Sequence, residues 1–498
     1  MPQETEVIKM LPPVVQPIPV RTMDEKLLAI SPIDGRYADR SEKLRPYLSE
    51  WGLMRARIFV EGELFRIYAE EGLIDPLTQE ETAYLDTALD KFDLASGAIT
   101  KDFEKRSDHD VVAIVKFMQE DIKKHSLPRL LDYLHFGPTS EDIDNIAWRL
   151  MIDLARREYI IPTMTELNNK LISIADEAKD CLMIGRTHGQ PAGVTTFGRE
   201  LLVFASRLQD EIDKTANHQF TGKFNGIIGT YSGQRTAFPE KDVEWWLGFS
   251  QKFARRFGLD PELITTQGNP NDDLAEFLQI QVRTNNIIHG LAGDTWEYIK
   301  DKLLHQKITG SGSSTGAAKV NPWRVEHVQA MLEIANGMAY ELIRNIQEYK
   351  LQRDLSDKTL MRFLPEITAL QLNAIEYMTK QLELVTPNKD GMAATIDQDW
   401  SFLSEALQLT LRKGGIEKGY EVVRKKLQGR ELPPPQWAIA IEELITELDL
   451  RNPEHQELAR KIRSISPAPF ITDAIELTKL FILQLKKRQQ YAIDIKSP

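Results

Sequence analysis

The chain has 498 residues, of which 42% are hydrophobic and 27% are charged, a composition typical of soluble globular proteins. Its net charge of −12 argues against non-specific nucleic-acid binding, which needs a basic surface, although a few clustered arginines could still bind a small anionic substrate. Cys181 is the single cysteine, so neither an intramolecular disulfide nor a cysteine-based zinc site is expected, and no run of 18 apolar residues predicts a membrane span.

The first 22 residues are rich in proline and lack the basic start and apolar run of a signal peptide, so they are predicted to be a flexible extension. Beyond them, apolar residues recur at spacings of three and four, as in a helix packed along one face. This pattern is clearest over 200–212, 279–298 and 328–349, where it predicts long helices. No stretch shows the repeated alternation of apolar and polar residues that would indicate the strands of a sheet. The chain is therefore predicted to be all-α.

Short stretches rich in Gly, Pro, Ser, Thr and Asn separate the predicted helices. Loops of this kind on a rigid scaffold often carry catalytic side chains, and a helical bundle brings loops from distant parts of the chain to one end. In chain order these stretches are 31–37, 135–145, 185–198, 222–233, 265–272, 309–322 and 352–362.

One of these loops carries a histidine in a polar turn. The sequence around it is Arg-Thr-His-Gly-Gln-Pro-Ala, with His188 at its centre. A lone histidine is more often structural than catalytic, but packing gives little reason for one between turn-forming residues. Histidine is also the side chain best suited to donating a proton near neutral pH. His188 is therefore a candidate for catalysis.

The glycine-rich stretch 312–322 contains a lysine and invites a phosphate-loop interpretation. A phosphate loop would need glycine immediately before Lys319 and Ser or Thr after it, whereas Ala318 and Val320 stand there. What remains is a loop with two hydroxyls, one ammonium group and one amide. These groups suit a dicarboxylate and the negative charge that appears when a carbon acid is deprotonated. On its own, such a stretch is more often a flexible surface loop.

Together the two loops resemble the fumarase/aspartase superfamily. Its signature loop usually reads Gly-Ser-Ser-x-Met-Pro-x-Lys-x-Asn-Pro, and a second motif reads Thr-His-Gly-Gln-x-Ala. The resemblance implies that Ser313 is the general base and His188 the general acid of an elimination reaction. It also implies that the carboxylates of the substrate are bound by Thr187, Ser314, Lys319 and Asn321.

Four further stretches resemble the adenylosuccinate lyase family in particular. They are similar to its N-terminal nucleotide-binding stretch (31–37), its His-Asp pair beside the purine (108–111), its Thr-Ser-Glu-Asp stretch (135–143) and its phosphate-binding stretch (351–362). A glutamine that precedes Gly-Asn-Pro also fits the family. The resemblance implies substrate contacts by Arg36, Tyr37, His109, Asp110, Thr139, Ser140, Gln267, Arg353, Lys358 and Arg362.

The chain departs from the usual motifs at five positions. Gly316 and Ala317 replace Met-Pro, and Ala318 stands where a histidine is common. Glycine has more backbone freedom to lose when a loop closes, and alanine lacks the fixed φ angle of proline, so a working but slower enzyme is expected. Asn271 replaces a histidine and Lys358 replaces a serine, although lysine can still bind phosphate as a point charge.

The resemblance also implies an architecture. It implies an N-terminal helical domain, a central bundle of long helices and a C-terminal helical domain. Domain breaks predicted before Pro128 and around Pro365 bound these domains, after the extension (1–22), to 23–125, 126–365 and 366–498. The resemblance implies a cytoplasmic homotetramer whose active sites are shared between subunits. No cofactor, metal, nucleic-acid partner or membrane is expected.

The implied reaction is the β-elimination of fumarate from adenylosuccinate, giving AMP, and from succinylaminoimidazole carboxamide ribotide. One alternative is a related fumarate-releasing lyase that acts on another substrate. Arg36, Arg353 and Arg362 speak against it, because small dicarboxylates have no nucleotide phosphate. The other alternative is a non-catalytic homologue, whose main support is the altered loop at 316–318.

Overall fold

The structure is a computed structural model that describes residues 8–14, 18–310 and 315–496. Helices dominate the described part of the chain, which confirms the predicted all-α fold. The predicted division into three domains stays a prediction. The chain forms two compact units, of which unit 1 comprises 1–164, 211–286 and 330–375, and unit 2 comprises 165–210, 287–329 and 376–498.

Unit 1 is centred on a helix that is buried on nearly every side, Glu50–Glu70. This helix begins where the Ser49 hydroxyl accepts a hydrogen bond from the backbone N–H of Gly52. It packs against helix Ser140–Ala155. The other helices of unit 1 are Met23–Leu28, Ala38–Ser41, Arg45–Leu48, Gln79–Lys91, Leu94–Ser107, Asp110–Lys124, Pro128–Tyr133, Ser232–Ala237, Val243–Arg256 and Ser356–Met361, with a 3-10 turn at Glu42–Leu44 and a π-helical turn at Arg156–Ile160.

Unit 2 has its own apolar core, formed mainly by short C-terminal helices. Leu407, Leu411 and Leu444 are completely buried in it. The helices wholly within unit 2 are Lys389–Ala394, Ser404–Lys413, Gly419–Leu427, Pro434–Ile445, Pro453–Arg463 and Ala468–Lys496, with 3-10 turns at Ile396–Gln398 and Trp400–Leu403.

Five long helices contain the points at which the chain passes from one unit to the other. The predicted helices 200–212 and 279–298 lie inside two of them, whereas the prediction of 328–349 runs four residues too far. That helix ends at Asn345, whose side-chain amide donates a hydrogen bond back to the carbonyl of Glu341 (2.8 Å). Among the described residues, no helix combines the length and apolarity needed to cross a membrane. The five helices are Ile161–Glu177, Phe197–Asn217, Asp272–Lys300, Trp323–Asn345 and Leu364–Glu383.

The strands of the structure were not predicted from the sequence. The stretch 185–198 was predicted to be a loop, but most of it belongs to an antiparallel hairpin. The buried residues of its strands are consecutive, Met183 and Ile184 in one strand and Val194 to Thr196 in the other, so they do not show the alternation that predicts a strand. The strand pairs are Leu182–Thr187 with Gln190–Thr196, Thr221–Gly222 with Asp260–Pro261, and Leu304–Gln306 with Val385–Pro387.

The described part of the N-terminal extension contacts the rest of unit 1. The backbone N–H of Lys9 donates to the carbonyl of Arg256, and the side chain of Leu11 is buried. The Arg45 guanidinium donates to the carbonyl of Pro19 (2.9 Å). These contacts fix parts of the segment, and the flexibility of the extension as a whole stays a prediction.

Candidate active site

The tip of the hairpin in unit 2 carries His188. Thr187 pairs with Gln190, so His188 and Gly189 are the two turn residues, with φ angles of 53° and 76°. Positive φ at both positions defines the type I′ turn, whose twist matches that of the paired strands. Arg186 closes the turn by donating to the carbonyl of Gly189 (3.2 Å). Thr187 and His188 are both exposed there.

The base of the same hairpin is fixed within unit 2. Ile184 and Val194 join the apolar core of the C-terminal helices. The backbone N–H of Ile184 donates to the Thr395 hydroxyl (3.0 Å), and the hydroxyls of Thr196 and Thr478 are 2.8 Å apart. The base of the hairpin is therefore packed into unit 2, whereas its tip, which carries His188, is exposed.

Three predicted substrate-binding residues of unit 1 border one cleft. His109, Thr139 and Ser140 line a cavity of about 390 Å³. His109 precedes helix Asp110–Lys124, and its Nδ1 accepts a hydrogen bond from the backbone N–H of Val112 (3.3 Å). Because Nδ1 accepts, the neutral ring carries its proton on Nε2, which leaves a donor for a ligand.

The same cleft contains a histidine that the sequence analysis did not assign. His135 lines the cavity, and its Nδ1 lies 2.6 Å from Oε1 of Glu61, a buried carboxylate on helix Glu50–Glu70. The histidine stands at the start of the Thr-Ser-Glu-Asp stretch, where a histidine in a loop was a usable signal. Glu61 gave no such signal, because it lies 74 residues away in a helix of mainly apolar residues.

This pair predicts a pH dependence of stability. Burial acts to lower the pKa of His135, but the Glu61 carboxylate outweighs burial and raises that pKa above its ordinary value of 6.5. The stabilisation is therefore fully present below pH 6.5 and is lost as the pH rises through the raised folded-state pKa.

We expect the melting midpoint of Glu61→Gln to lie further below that of the wild type at about pH 6 than at about pH 9. Glu80→Gln, at an exposed position, should show no such difference. Equal deficits at both pH values would contradict the prediction.

Asp110, Lys358 and Arg362 lie together in unit 1. The Lys358 ammonium is 3.4 Å from Asp110 Oδ1, and one Arg362 nitrogen is 3.4 Å from Asp110 Oδ2. Two residues that the sequence analysis missed complete the cluster, since Arg57 contacts Asp110 (2.6 Å) and Lys358 contacts Asp144 (2.8 Å). Burial acts to raise the pKa of Asp110, but the charges of Arg57 and Lys358 hold it well below its usual range.

Arg362 also faces a larger cavity. This cavity, of about 530 Å³, is bordered by Arg362 and by residues of the predicted nucleotide-binding stretch 31–37, including Ser31 and Asp34. The turn at this stretch needs glycine, because a side chain at Gly35 would meet the carbonyl oxygen of Lys26 at 2.8 Å. Arg36 itself is exposed. Tyr37, which precedes the short helix Ala38–Ser41, is half-buried.

Arg353 is held between two carboxylates. Its guanidinium donates to Glu141 Oε2 and Asp357 Oδ2, both at 2.8 Å. Burial, with the nearby charges of Asp144 and Asp357, raises the pKa of Glu141 above its usual value, although Arg353 opposes this. A phosphate that bound Arg353 would therefore have to compete with Glu141 and Asp357 for its guanidinium.

Gln267 reaches the loop beside the smaller cleft. Its amide donates to the carbonyl of Ile227 (3.1 Å), and Ile227 lines the cleft that contains His109. Asn271, in the position of the usual histidine, is buried and has a φ angle of 61°. It accepts a hydrogen bond from Arg149 (3.0 Å) and donates to the Tyr349 hydroxyl (2.8 Å). Asn271 therefore has structural partners.

The signature loop is described in part. Ser313 and Ser314 lie outside the described residues. Lys319 is exposed, and its backbone N–H donates to the carbonyl of Gly316 (2.9 Å). The carbonyl of Asn321 accepts a hydrogen bond from the Gln306 amide (3.1 Å). The roles predicted for these four residues stay predictions.

Comparison with known proteins finds relatives over most of the chain. Residues 35–337 match the lyase family, and residues 349–471 match the adenylosuccinate lyase C-terminal domain. The adenylosuccinate lyase of Haemophilus influenzae is 34% identical over 91% of this chain and 98% of its own length. That of Escherichia coli strain K12 is 32% identical, again over 91% of this chain and 98% of its own length.

Solved structures share the fold. A fumarate lyase from Mesorhizobium sp. BNC1 superposes with a TM-score of 0.66 at 19% identity, covering 87% of this chain and 97% of its own. A β-carboxy-cis,cis-muconate cycloisomerase from Acinetobacter calcoaceticus superposes with a TM-score of 0.63 at 18% identity, covering 88% and 97%. At these identities the likeness concerns the fold alone.

Proposed function

We propose that this chain, which belongs to the adenylosuccinate lyase family, eliminates fumarate from adenylosuccinate to give AMP. We also propose the matching cleavage of succinylaminoimidazole carboxamide ribotide, which places the chain in purine nucleotide biosynthesis. The observation that carries the proposal is the extent of the family matches, because 35–337 and 349–471 together contain every predicted site residue.

The proposed chemistry uses two groups of the protein. Ser313 takes the proton from the carbon next to a succinyl carboxylate, and the electron pair left behind forms the double bond of fumarate as the carbon–nitrogen bond breaks. His188 gives a proton to the departing nitrogen. Thr187, Ser314, Lys319 and Asn321 bind the carboxylates, where their hydrogen bonds strengthen as negative charge develops.

Arginines on unit 1 favour a nucleotide over a small dicarboxylate. Arg362 faces the 530 Å³ cavity beside the stretch 31–37, and Arg36 is exposed on that stretch. A phosphate dianion gives these guanidinium groups a partner that fumarate-sized substrates lack. This distribution of charge supports the nucleotide substrate over the alternative of a related lyase.

A single assay tests the proposal. Purified protein, without added metal, should convert adenylosuccinate to AMP and fumarate, followed by the ultraviolet change at the purine. Two organic acid–base groups suffice for the reaction, so a chelator should leave the rate unchanged. Folded protein that binds AMP but releases no fumarate would instead support the non-catalytic homologue.

We further propose a cytoplasmic homotetramer with active sites shared between subunits. Its support is the exposure of apolar side chains on long helices, with Val203 at 52%, Ile334 at 56% and Tyr340 at 56%. The exposed position of His188 on a hairpin tip also suits a site completed by another chain.

Mixing two inactive variants tests the shared site. If His188 and Ser313 act from different subunits, re-formed tetramers of His188→Ala and Ser313→Ala should regain part of the wild-type activity, because some sites then contain both groups. Each variant alone should stay inactive. Failure to regain activity, with subunit exchange shown by mass spectrometry, would mean that both residues act from one chain.

A further inference from the structure

A buried arginine in unit 1 has more acidic partners than its charge can balance. The Arg57 side chain is 2% exposed, and its guanidinium contacts Asp144 Oδ1 and Asp110 Oδ2, each at 2.6 Å. Asp144 is as deeply buried as Arg57. One positive charge against two carboxylates leaves a net negative charge away from water, which is unfavourable unless another cation lies nearby.

Lys358 supplies that cation. Its ammonium lies 2.8 Å from Asp144 Oδ2 and 3.4 Å from Asp110 Oδ1, so Arg57, Asp110, Lys358 and Asp144 form a closed ring of alternating charges. Burial acts to lower the pKa of Lys358, but the two carboxylates outweigh burial and raise it. Lys358 is thus fully charged, and its charge is balanced within the ring.

Arg362 connects the charge ring to the larger cavity. One of its nitrogens is 3.4 Å from Asp110 Oδ2, and another is 2.5 Å from Glu50 Oε2. The Arg362 side chain is 41% exposed, whereas that of Lys358 is 20% exposed. Arg362 can therefore meet a ligand in the cavity, and the position of Asp110 helps to determine where its guanidinium points.

We propose that Lys358 and Asp144 are positioning residues, which close the charge ring, hold Asp110 in place and thereby orient Arg362 toward the phosphate of the substrate. Lys358 acts within the ring and not as a direct phosphate ligand. This inference rests on the proposed function, because the phosphate belongs to the nucleotide substrate.

A cycle of two substitutions separates positioning from direct contact. Lys358→Met leaves the ring with an uncompensated carboxylate, so we expect KM for adenylosuccinate to rise by at least about tenfold while kcat falls by no more than about threefold. Adding Asp144→Asn leaves Arg57 paired with Asp110 alone. The double variant should therefore return to within about threefold of the wild-type KM. A direct ligand could not be rescued in this way, so a double variant that keeps the raised KM would overturn the inference.

Two further readouts separate the inference from the proposed function. Turnover of adenylosuccinate by the wild type tests the function alone. The melting midpoint tests the ring independently of activity, and it should fall in Lys358→Met and recover in the double variant. Lys123→Met, which breaks an exposed pair with Glu120 (2.7 Å), should change neither KM nor the midpoint. An unchanged melting midpoint in Lys358→Met would likewise overturn the inference that Lys358 closes the charge ring.

Discussion

In the His188→Ala variant we expect kcat for fumarate release to fall by about 10²–10⁴-fold, the usual contribution of a general acid–base group. The departing nitrogen of adenylosuccinate needs a proton as the carbon–nitrogen bond breaks, and alanine has none to give. KM should change little, because the residues proposed to bind the carboxylates of the substrate are unchanged in this variant. The hairpin is fixed at its base through Ile184 and Thr395, so the fold should survive the loss of an exposed side chain at its tip.

A second variant controls for the backbone at this position. His188 has a φ angle of 53°, which is strained for most residues but tolerated by asparagine. His188→Asn should therefore keep the turn and the melting midpoint, yet lose as much activity as His188→Ala. Near-normal kcat in the asparagine variant would show that His188 does not supply the proton.

The second large effect is expected at a buried ion pair in unit 1. Lys223 Nζ lies 3.0 Å from Asp142 Oδ1, and both side chains are completely buried. The Asp142 carboxylate also accepts hydrogen bonds from the backbone N–H groups of Thr139 (2.8 Å), Asn225 (2.9 Å) and Gly226 (3.1 Å). Lys223→Met leaves this carboxylate buried without its cation, which typically costs about 3–5 kcal/mol. We expect a loss of that size in the free energy of unfolding.

Urea unfolding at a fixed protein concentration measures this loss. The exposed-pair variant Lys123→Met is the matched control, and its free energy of unfolding should stay within about 1 kcal/mol of the wild type. KM should also rise in Lys223→Met, because Thr139 borders the cleft and is tied to the same carboxylate. Should Lys223→Met unfold at the same urea concentration as the control, the pair would not carry the burial penalty assigned to it.

The sequence predicted the long helices well because their apolar periodicity is local. The stretch 279–298 lies within helix Asp272–Lys300, and 200–212 lies within Phe197–Asn217. The hairpin that carries His188 was missed because it depends on pairing with residues across a turn and on packing against the distant C-terminal helices. Tertiary contacts determine the structure of this hairpin, and the local spacing of apolar residues does not indicate it.

The candidate site likewise contains some residues that could be predicted from the sequence and others that could not. His109, Thr139 and Ser140 could be selected because the stretches around them resemble those of the adenylosuccinate lyase family, and the structure brings all three to one cleft. Arg57 and Glu61 could not be selected, because each lies in a helix of mainly apolar residues. Their partners are far along the chain, at separations of 87 residues for Arg57 and 74 for Glu61, so only the folded structure reveals them.

Heat acts on the charge ring differently from its action on an apolar contact. The hydration of ions becomes less favourable as temperature rises, so keeping Arg57, Asp110, Lys358 and Asp144 away from water costs less in hot solution than in cold. Hydrophobic stabilisation per unit of buried area, by contrast, reaches a plateau on heating. The ring therefore contributes a growing share of the local stability as the protein warms. Asp110, the member of the ring that contacts Arg362, is accordingly held more firmly, relative to its apolar surroundings, at higher temperature.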